Sequence, residues 1–539
     1  MDEILSYELS NSEFTPWITP TQPEGRLEKY YRNEIYDENF LTLLSNLFSQ
    51  AGDILKNRGG SVAASYSAEV YDKPQWMSSE DMKEYVLFYT RDSVPGFSAY
   101  YNTTTDNHPP LYFMTINLFS AVYALFALGK LSVWPGCVLN MIFMGFSMLC
   151  IIAIFRDIFA KKNIGIAAAL YYGLSPAGIN TVLLIRMYAM CGFFCLAFTY
   201  ELLRKVKAGE DFKKNNKRLI LITVLGFLTQ YFTCIYFFFL TSAVLIHLLR
   251  KKEKKASLYL IRSMVISAFW GILIYPFVFH DFFGTKVGES VRGSLSETGG
   301  LPAKLGAFVK IAGDSVLWSY AGAAAGLIIF VICLIAAVKK KKDMFLPLSL
   351  TLSSLGYLLV VSKIAPYTVD RYLMPVFPIM ILCISLGMTF AVTTVTGRML
   401  KTADSLEKVH KISFAVCMAA VIIMTFFVPS PYLYKGYSSQ KRLSDTFSAY
   451  DCVVIYRGTS FYRNVPELIN YQNCLLLKED EIYGFDERLA GLDRVVVIVG
   501  EGVDESAAVA TLGRMYGFSS VTALMEQGVF GDRVCILSK

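Results

Sequence analysis

The stretch that decides the fold is Leu131–Phe155, which reads LSVWPGCVLNMIFMGFSMLCIIAIF and contains no charged side chain. About 20 apolar residues in a helix are enough to cross the hydrocarbon core of a bilayer. Directly after it come Arg156, Asp157, Lys161 and Lys162, within a short and mostly basic segment. The stretch therefore predicts a transmembrane helix that ends at a basic loop.

Similar apolar runs recur along the chain and predict a polytopic α-helical membrane protein. The run Leu219–Leu249 is long for one span and short for two, so the polar Gln230 in its middle predicts a tight hairpin of two short helices. With that hairpin, the predicted transmembrane bundle covers residues 131–430 and has about ten helices. The other predicted spans are Ile164–Ile185, Met187–Leu203, Leu258–Phe279, Trp318–Val338, Met344–Val361, Leu373–Val392 and Ile412–Val428.

The composition supports this class. Of 539 residues 54% are hydrophobic and 18% charged, and the mean hydropathy is +0.43, which excludes an ordinary cytosolic enzyme, a disordered chain and a small disulfide scaffold. The 11 cysteines show neither metal-ligand pairing nor a disulfide framework and are interpreted as small apolar residues. The net charge of +7 comes from basic loops between spans, so no nucleic-acid partner is expected.

The basic loops also predict an orientation. Lysine and arginine concentrate in loops on cytoplasmic sides of membranes, and counting the 219–249 hairpin as two crossings puts every basic cluster on one side. The region before residue 131, the loops 280–315 and 362–371, and the tail after about residue 430 are then outside the cytoplasm. The basic clusters are Arg156–Lys162, Arg204–Arg218, Arg250–Lys255, Lys339–Lys342 and Arg398–Lys411.

Residues 1–130 are predicted to form an extracytoplasmic first loop with helices along the membrane surface. Residues 12–105 are expected to hold helices rather than strands, because Tyr30–Ile54 and Asp81–Tyr89 show amphipathic spacing. The apolar segment Leu111–Leu128 is predicted to be an interfacial helix, with a further span as the alternative. No apolar segment precedes Asp2 to carry this loop across, so we expect that a first transmembrane helix is missing upstream.

Residues 436–539 are predicted to form a small extracytoplasmic α/β domain with a parallel sheet. Gly500-Glu501-Gly502 lacks the third glycine of a dinucleotide fingerprint, so Asp504 is interpreted as the cap of a helix. The predicted strands are Cys452–Tyr456, Cys474–Leu477, Val495–Val499 and Val534–Leu537, and the predicted helix is Glu505–Tyr516.

Several polar residues at the predicted outer face are candidates for chemistry. Asp2 and Glu3 are adjacent carboxylates that can accept a proton and hold a divalent metal, although such pairs are often only solvated. His108 precedes Pro109-Pro110 at a helix start, where it can bind phosphate or metal, or simply pack beside a capping Asp106.

Two arginines interrupt apolar sequence at the same face. Arg186, within an apolar run, is a functional candidate because a charge at membrane depth is costly, with snorkelling as the alternative. Arg371 starts an outer helix and either binds an anion or pairs with Asp370. The outer loop adds Lys286 among several charged residues, and cations that share one face suit an anionic lipid phosphate. The charged and imidazole residues of that loop are His280, Asp281, Lys286, Glu289 and Arg292.

Together these motifs resemble the polyprenyl-phosphate-sugar-dependent membrane glycosyltransferases of GT-C fold, which include protein O-mannosyltransferases and lipid A aminoarabinose transferases. The resemblance covers residues 1 to about 430, and the tail is similar to the variable outer domains of some members. The matching pieces are Asp2-Glu3-Ile4 with Ser6-Tyr7, Asp106-x-His108-Pro109-Pro110-Leu111-Tyr112, Arg186-Met187-Tyr188-Ala189 and Arg371-Tyr372-Leu373-x-Pro375.

The resemblance implies an inverting transfer of a sugar from a polyprenyl-phosphate donor to a hydroxyl acceptor on a lipid, a protein or a cell-wall polymer. It implies Asp2 as general base with Glu3 as its partner. It further implies Mg²⁺ or Mn²⁺ held by Glu3, Asp106 and His108. The donor phosphate would be bound by His108, Arg186, Tyr188, Lys286 and Arg371.

A transporter or flippase of lipid-linked sugars is the alternative. It would need polar residues through the bundle and paired repeats, whereas the charges here cluster on one face. A sensor would need a cytoplasmic signalling domain, for which the predicted cytoplasmic loops are too short. The sequence thus favours a transferase of a bacterial plasma membrane, with its active site and tail outside the cytoplasm.

Overall fold

The computed structural model is mainly helical, with one six-stranded β-sheet. Its described residues are 2–12, 18, 34–35, 37, 39–56, 75–89, 96–104, 106–127, 129–209, 212, 216–283, 285–296, 299–317, 345–399, 432 and 437–539. The chain divides into two compact units. The helical unit contains Asp106–Tyr112 and Gly136–Tyr432, and the sheet unit contains Met1–Thr105, Phe113–Pro135 and Leu433–Lys539.

The helical unit follows the apolar runs of the sequence, which confirms the predicted class of polytopic helical protein. Its helices are Trp134–Ala153 with a π-helical turn Ile154–Ile158, Lys162–Leu174, Pro176–Leu183, Tyr188–Ala208, Asn216–Thr229, Phe232–Arg250, Lys254–Ile274, Val278–Phe283, Lys286–Ser296, Leu301–Val316, Phe345–Ile364 and Phe377–Met399.

Four helices in the described part of the chain are long and apolar enough to cross a membrane: Trp134–Ile158, Phe232–Arg250, Lys254–Ile274 and Phe345–Ile364. A fifth crossing results if Lys162–Leu174 and Pro176–Leu183, bent by 53°, count as one span. The bend follows from Pro176, which starts a new helix where Ser175 caps it. The helix Tyr188–Ala208 carries charged residues in its last turns, and the predicted spans 318–338 and 412–428 lie outside the described residues.

The predicted hairpin within residues 219–249 is confirmed. Its helices Asn216–Thr229 and Phe232–Arg250 meet at Gln230, whose side-chain Oε1 accepts a hydrogen bond of 2.7 Å from the Tyr231 N–H. Gly226 lets the two helices approach, because a Cβ there would lie 2.7 Å from the Phe237 ring. The run Leu219–Leu249, which is long for one span and short for two, therefore lies within two helices joined by a tight turn.

Hydrogen bonds, ring contacts and charge interactions bring connections of this unit together at two ends. One end, here called the basic end, contains residues 156–162, 204–209 and 250–254; there the Lys207 Nζ donates a hydrogen bond of 3.0 Å to the Asp157 carbonyl. The other, here called the opposite end, contains residues 106–112, 184–188, 230–231, 275–283 and 370–372. Contacts between Phe232 and Tyr372, whose ring centroids are 5.3 Å apart, bring its segments together.

The sheet unit is built on strands in the order β1-β3-β2-β4-β6-β5, which confirms the predicted small α/β fold of the tail. The pairs β2–β3 and β2–β4 are parallel, but β4–β6 and β5–β6 are antiparallel, so the prediction of a parallel sheet is wrong for the last two strands. The strands are β1 (Gln75–Ser78), β2 (Cys452–Tyr456), β3 (Asn473–Lys478), β4 (Arg494–Val499), β5 (Ser520–Met525) and β6 (Arg533–Ser538).

Strand β1 corrects the expectation that residues 12–105 contain helices rather than strands. It pairs antiparallel with β3, with Gln75 opposite Leu476 and Ser78 opposite Asn473, so part of the first loop completes the sheet of the tail. Strand β5 also was not predicted, because its residues are largely exposed and show no apolar run. The Asp504 cap is confirmed, since its Oδ1 accepts a hydrogen bond of 3.1 Å from the Ala507 N–H.

The N-terminal part of the sheet unit is helical, as predicted. The helices Phe40–Lys56 and Ser79–Val86 overlap the expected amphipathic segments Tyr30–Ile54 and Asp81–Tyr89, and the candidate interfacial segment contains the helix Leu111–Ala124. The first helix, Asp2–Asn11, is held by buried hydrogen bonds such as that of the Asn11 Nδ2 to the Val86 carbonyl at 2.9 Å. Whether Leu111–Ala124 lies along a membrane stays a prediction.

Candidate functional site

The site begins with the turn that precedes Pro109-Pro110. There His108 Nδ1 lies 2.7 Å from the Asp106 Oδ2, a short charge-assisted contact between residues two positions apart. Burial alone would raise the pKa of Asp106, but the His108 imidazole and the Arg186 guanidinium outweigh burial and hold it below its ordinary value. The turn therefore presents an ionised carboxylate that orients an imidazole.

A buried polar network fixes this turn against the next segment of the site. The Tyr112 hydroxyl donates a hydrogen bond of 3.1 Å to the Asn140 side-chain oxygen. The Asn140 Nδ2 donates in turn to the carbonyls of Val182 and Leu184, at 3.1 and 2.9 Å. Asn140 is fully buried in the helix Trp134–Ala153, and it links the His-Pro-Pro-Leu-Tyr segment to the chain just before Arg186.

Arg186 follows this link and is 7% exposed. Its backbone N–H donates to the Leu184 carbonyl at 2.7 Å, and its charge acts on Asp106. A buried guanidinium is stable only when its charge is balanced, and the half-buried Asp106 carboxylate contributes to that balance. The structure thus brings together the predicted residues Asp106, His108 and Arg186.

Tyr188 and Arg371 lie at the same end of the bundle. Tyr188 starts the helix Tyr188–Ala208 and is buried near Tyr357, whose hydroxyl donates to the Tyr372 carbonyl at 2.7 Å. Arg371 occupies a single 3₁₀ turn, Asp370–Tyr372, with its guanidinium carbon 5.4 Å from the Tyr372 ring centroid. Tyr357 therefore connects the motif that contains Tyr188 with the motif that contains Tyr372.

Asp370 has a partner that the sequence did not indicate. Its Oδ1 accepts a hydrogen bond of 2.6 Å from the Tyr432 hydroxyl, 62 positions further along the chain. Burial raises the pKa of Asp370, and the neighbouring Arg371 charge opposes this rise. Asp370 therefore interacts both with Tyr432 and with the charge of its neighbour Arg371.

Asp281, in the predicted outer loop, also belongs to the polar residues at the opposite end of the bundle. The residue is 4% exposed, and its Oδ2 accepts a hydrogen bond of 2.5 Å from the Tyr231 hydroxyl at the hairpin turn. Burial raises the pKa of Asp281, and the charge of Asp106 raises it further. Asp281 therefore interacts electrostatically with the turn that contains Asp106.

Three predicted residues are not part of this arrangement as described. Asp2 and Glu3 lie in the sheet unit, half-buried in the first turn of the helix Asp2–Asn11. Their negative charges interact favourably with the dipole of that helix. Lys286 begins the helix Lys286–Ser296, but its side chain lies outside what the structure describes. The assignment of these three residues stays a prediction.

The predicted metal ligands are divided between the two units, with Glu3 in the sheet unit and Asp106 and His108 in the helical unit. Among the described residues, no group of three or more histidine, cysteine, aspartate or glutamate side chains could hold a metal ion. Within the helical unit the predicted ligands Asp106 and His108 contact each other through the Nδ1 of His108. The binding of a metal by Glu3, Asp106 and His108 stays a prediction.

Comparison with known proteins gives a likeness at the level of whole structures. No family profile matches the sequence, and no curated protein matches it. ArnT from Cupriavidus metallidurans bound to undecaprenyl phosphate is similar over 80% of this chain and 88% of its own, with 10% identity and a TM-score of 0.46. The apo state of ArnT from Cupriavidus metallidurans is similar over 80% and 87%, with 10% identity and a TM-score of 0.41.

At this identity and TM-score the likeness assigns no role to any residue. The function is therefore argued from the side chains of this chain.

Proposed function

We propose that this protein is an integral membrane glycosyltransferase that moves a sugar from a polyprenyl-phosphate donor to a hydroxyl acceptor. The observation that carries the proposal is the burial of Arg186 beside the Asp106–His108 pair at one end of a bundle of apolar helices. A fixed cation at membrane depth is costly and is retained where an anion binds. The phosphate of a membrane lipid is the anion that reaches such a position.

The chemistry of the leaving group explains the choice of arginine. As the bond between the sugar C1 and the phosphate oxygen breaks, the electron pair stays on the phosphate and its negative charge grows. A guanidinium presents a planar set of donors that matches phosphate oxygens, and its pKa keeps it charged. Arg186 and Arg371, with Lys286, are proposed to stabilise this charge in a site that burial makes sensitive to electrostatics.

The acceptor side requires a base. The acceptor oxygen forms the new bond to C1 while its proton passes to a carboxylate, which inverts the anomeric centre. Asp2 is proposed for this role with Glu3 as its partner, on the resemblance of Asp2-Glu3-Ile4 to the family motif. His108, oriented through Nδ1 by Asp106, is proposed to contact the donor phosphate, and Tyr188 to line its binding site.

Metal assistance and orientation are separate parts of the proposal. Mg²⁺ or Mn²⁺ held by Glu3, Asp106 and His108 would add positive charge at the leaving phosphate. The location proposed is the plasma membrane of a bacterium, with the opposite end and the tail outside the cytoplasm. Dialysis against EDTA followed by readdition of each ion tests the metal, and cysteine labelling from either side of sealed vesicles tests the orientation.

The activity is tested with the full-length protein in nanodiscs and a panel of polyprenyl-phosphate sugars, with release of free polyprenyl phosphate followed by mass spectrometry. We expect turnover of at least one donor in the presence of membrane extract as acceptor source. Asp2→Asn should abolish it, whereas Asp445→Asn, an exposed residue of the tail, should not. Donor binding with no release in the presence of extract would contradict the transferase and favour the lipid-linked sugar transporter.

A further inference from the structure

Two buried polar atoms at the opposite end face each other without closing a hydrogen bond. The His280 Nδ1 and the Asp281 Oδ1 are 3.8 Å apart, beyond hydrogen-bond distance. Both atoms are buried, and neither has a hydrogen-bond partner within the described residues. Leaving a buried polar atom unsatisfied is costly, so such a pair marks a place where another group is expected.

The surroundings keep this gap in place. The other carboxylate oxygen of Asp281 accepts the 2.5 Å hydrogen bond from Tyr231, which fixes the rotation of the carboxyl group. The Tyr231 ring also packs against Phe282, with centroids 5.5 Å apart. Asp281 interacts electrostatically with Asp106, and Asp106 with Arg186, so the gap belongs to the same end and the same cluster as the proposed phosphate site.

The chemistry of the two atoms selects the missing group. A carboxylate oxygen accepts hydrogen bonds, and an imidazole nitrogen donates or accepts according to its tautomer. A hydroxyl group can donate to one atom and accept from the other, so a single hydroxyl would satisfy both. An anion would be repelled by Asp281, and an apolar group would satisfy neither atom.

We propose that His280 and Asp281 bind a substrate hydroxyl and thereby determine which sugar or acceptor the enzyme accepts. This inference rests on the proposed function for the identity of the substrate, but not for the existence of the hydroxyl site. The hydroxyl belongs either to the donor sugar or to the acceptor, and the two sources are separated by the substrates in the test. Asp281 and His280 take no part in bond breaking.

The test uses full-length protein in nanodiscs with a donor that it turns over, and a set of deoxy analogues of donor and acceptor. Wild type should discriminate against one deoxy analogue by about tenfold or more in kcat/KM, because its absence leaves the two buried atoms unpaired. Asp281→Leu, of similar size but without the oxygens, should lose this discrimination. Glu289→Leu, at an exposed carboxylate eight positions further along the chain, is the matched control and should keep it.

Each outcome decides a separate point. A lost preference among donor analogues assigns the hydroxyl to the sugar, and a lost preference among acceptor analogues assigns it to the acceptor. Unchanged discrimination in Asp281→Leu overturns the inference and leaves the transferase in place, whereas a wild type that turns over no donor overturns both. If Asp281→Leu has a lowered Tm, His280→Ala at the half-exposed partner must lose the same discrimination, and its failure to do so overturns the inference.

Discussion

The two ends of the helical unit differ in how far their charged side chains are exposed. The basic end has many charged side chains, but they are mostly exposed: Arg156, paired with Asp157 at 2.6 Å, has a side chain that is 55% exposed. The opposite end has fewer charges, yet Arg186 and Asp281 are almost fully buried. At the basic end, Lys205 is buried but accompanied by Glu201 at 3.9 Å.

This difference teaches that the burial of charged side chains, rather than their number, distinguishes the end at which the phosphate site is proposed. Exposed charges remain hydrated and contribute to orientation in the membrane through their sum. Buried charges have lost their hydration and recover its stabilising effect only in part through neighbours, so each one constrains what can bind beside it. The following variants compare the two ends directly.

The largest difference is expected between two arginines. Arg186→Gln should lower kcat for donor consumption by about 100- to 1,000-fold, as for the loss of one group that stabilises a transition-state charge. Arg250→Gln, at an exposed residue of the basic end, should leave kcat nearly unchanged. The measurement is release of polyprenyl phosphate by both variants at equal protein; equal losses would remove the distinction between the ends.

A smaller effect is expected from the network that positions Arg186. Asn140→Leu leaves the Tyr112 hydroxyl and the Leu184 carbonyl without their buried partner, which should cost about 1–3 kcal/mol of stability. Asn216→Leu at the basic end removes a half-buried hydrogen bond of 2.7 Å to the Ser263 hydroxyl and should cost less. Thermal unfolding in detergent compares the two, and an Asn140→Leu protein as stable as wild type would refute the network.

The pH dependence of stability provides a third comparison. The depressed pKa of Asp106 stabilises the fold at pH values above the ordinary aspartate pKa of about 3.9, and this contribution is lost as the pH falls through the folded-state value. Asp106→Asn should therefore lower Tm at pH 7 and converge with wild type in acid. A constant Tm difference between pH 7 and pH 3 would show that the carboxylate charge is not the cause.

The smallest effect is expected at the basic end itself. Arg156→Ala removes an exposed ion pair with Asp157, and such pairs contribute little because water and salt screen them. Neither Tm nor donor consumption should change measurably. A loss of donor consumption in Arg156→Ala with Tm preserved would place functional charge at the basic end and break the comparison.

The sequence predicted the elements well where one local signal was sufficient. Gln230 marked the hairpin because a polar side chain in the middle of an apolar run is more stable at a turn near the membrane surface than inside a span. The strands β2 and β4 were evident from their valine-rich runs. Asp106, His108 and Arg186 were found because charged residues at the edge of apolar segments are rare. These are properties of neighbouring residues in the chain.

Long-range partners could not be predicted in this way. Strand β1 forms because Gln75–Ser78 pairs with residues almost 400 positions later, and four residues alone give no strand signal. Asn140, Tyr231 and Tyr432 act through partners on other helices, so only the assembled bundle reveals them. A lone asparagine inside the apolar run Leu131–Phe155 was the one available sign, because a buried amide requires partners.

The central claim is that the opposite end binds a lipid phosphate through Arg186. The most direct measurement is binding of polyprenyl phosphate, without a sugar, to full-length protein in nanodiscs, compared among wild type, Arg186→Gln and Arg250→Gln. The account predicts saturable binding to wild type and Arg250→Gln and at least tenfold weaker binding to Arg186→Gln, on the scale of about 1.4 kcal/mol for tenfold. Equal affinity of all three proteins, or binding that only Arg250→Gln weakens, would contradict it.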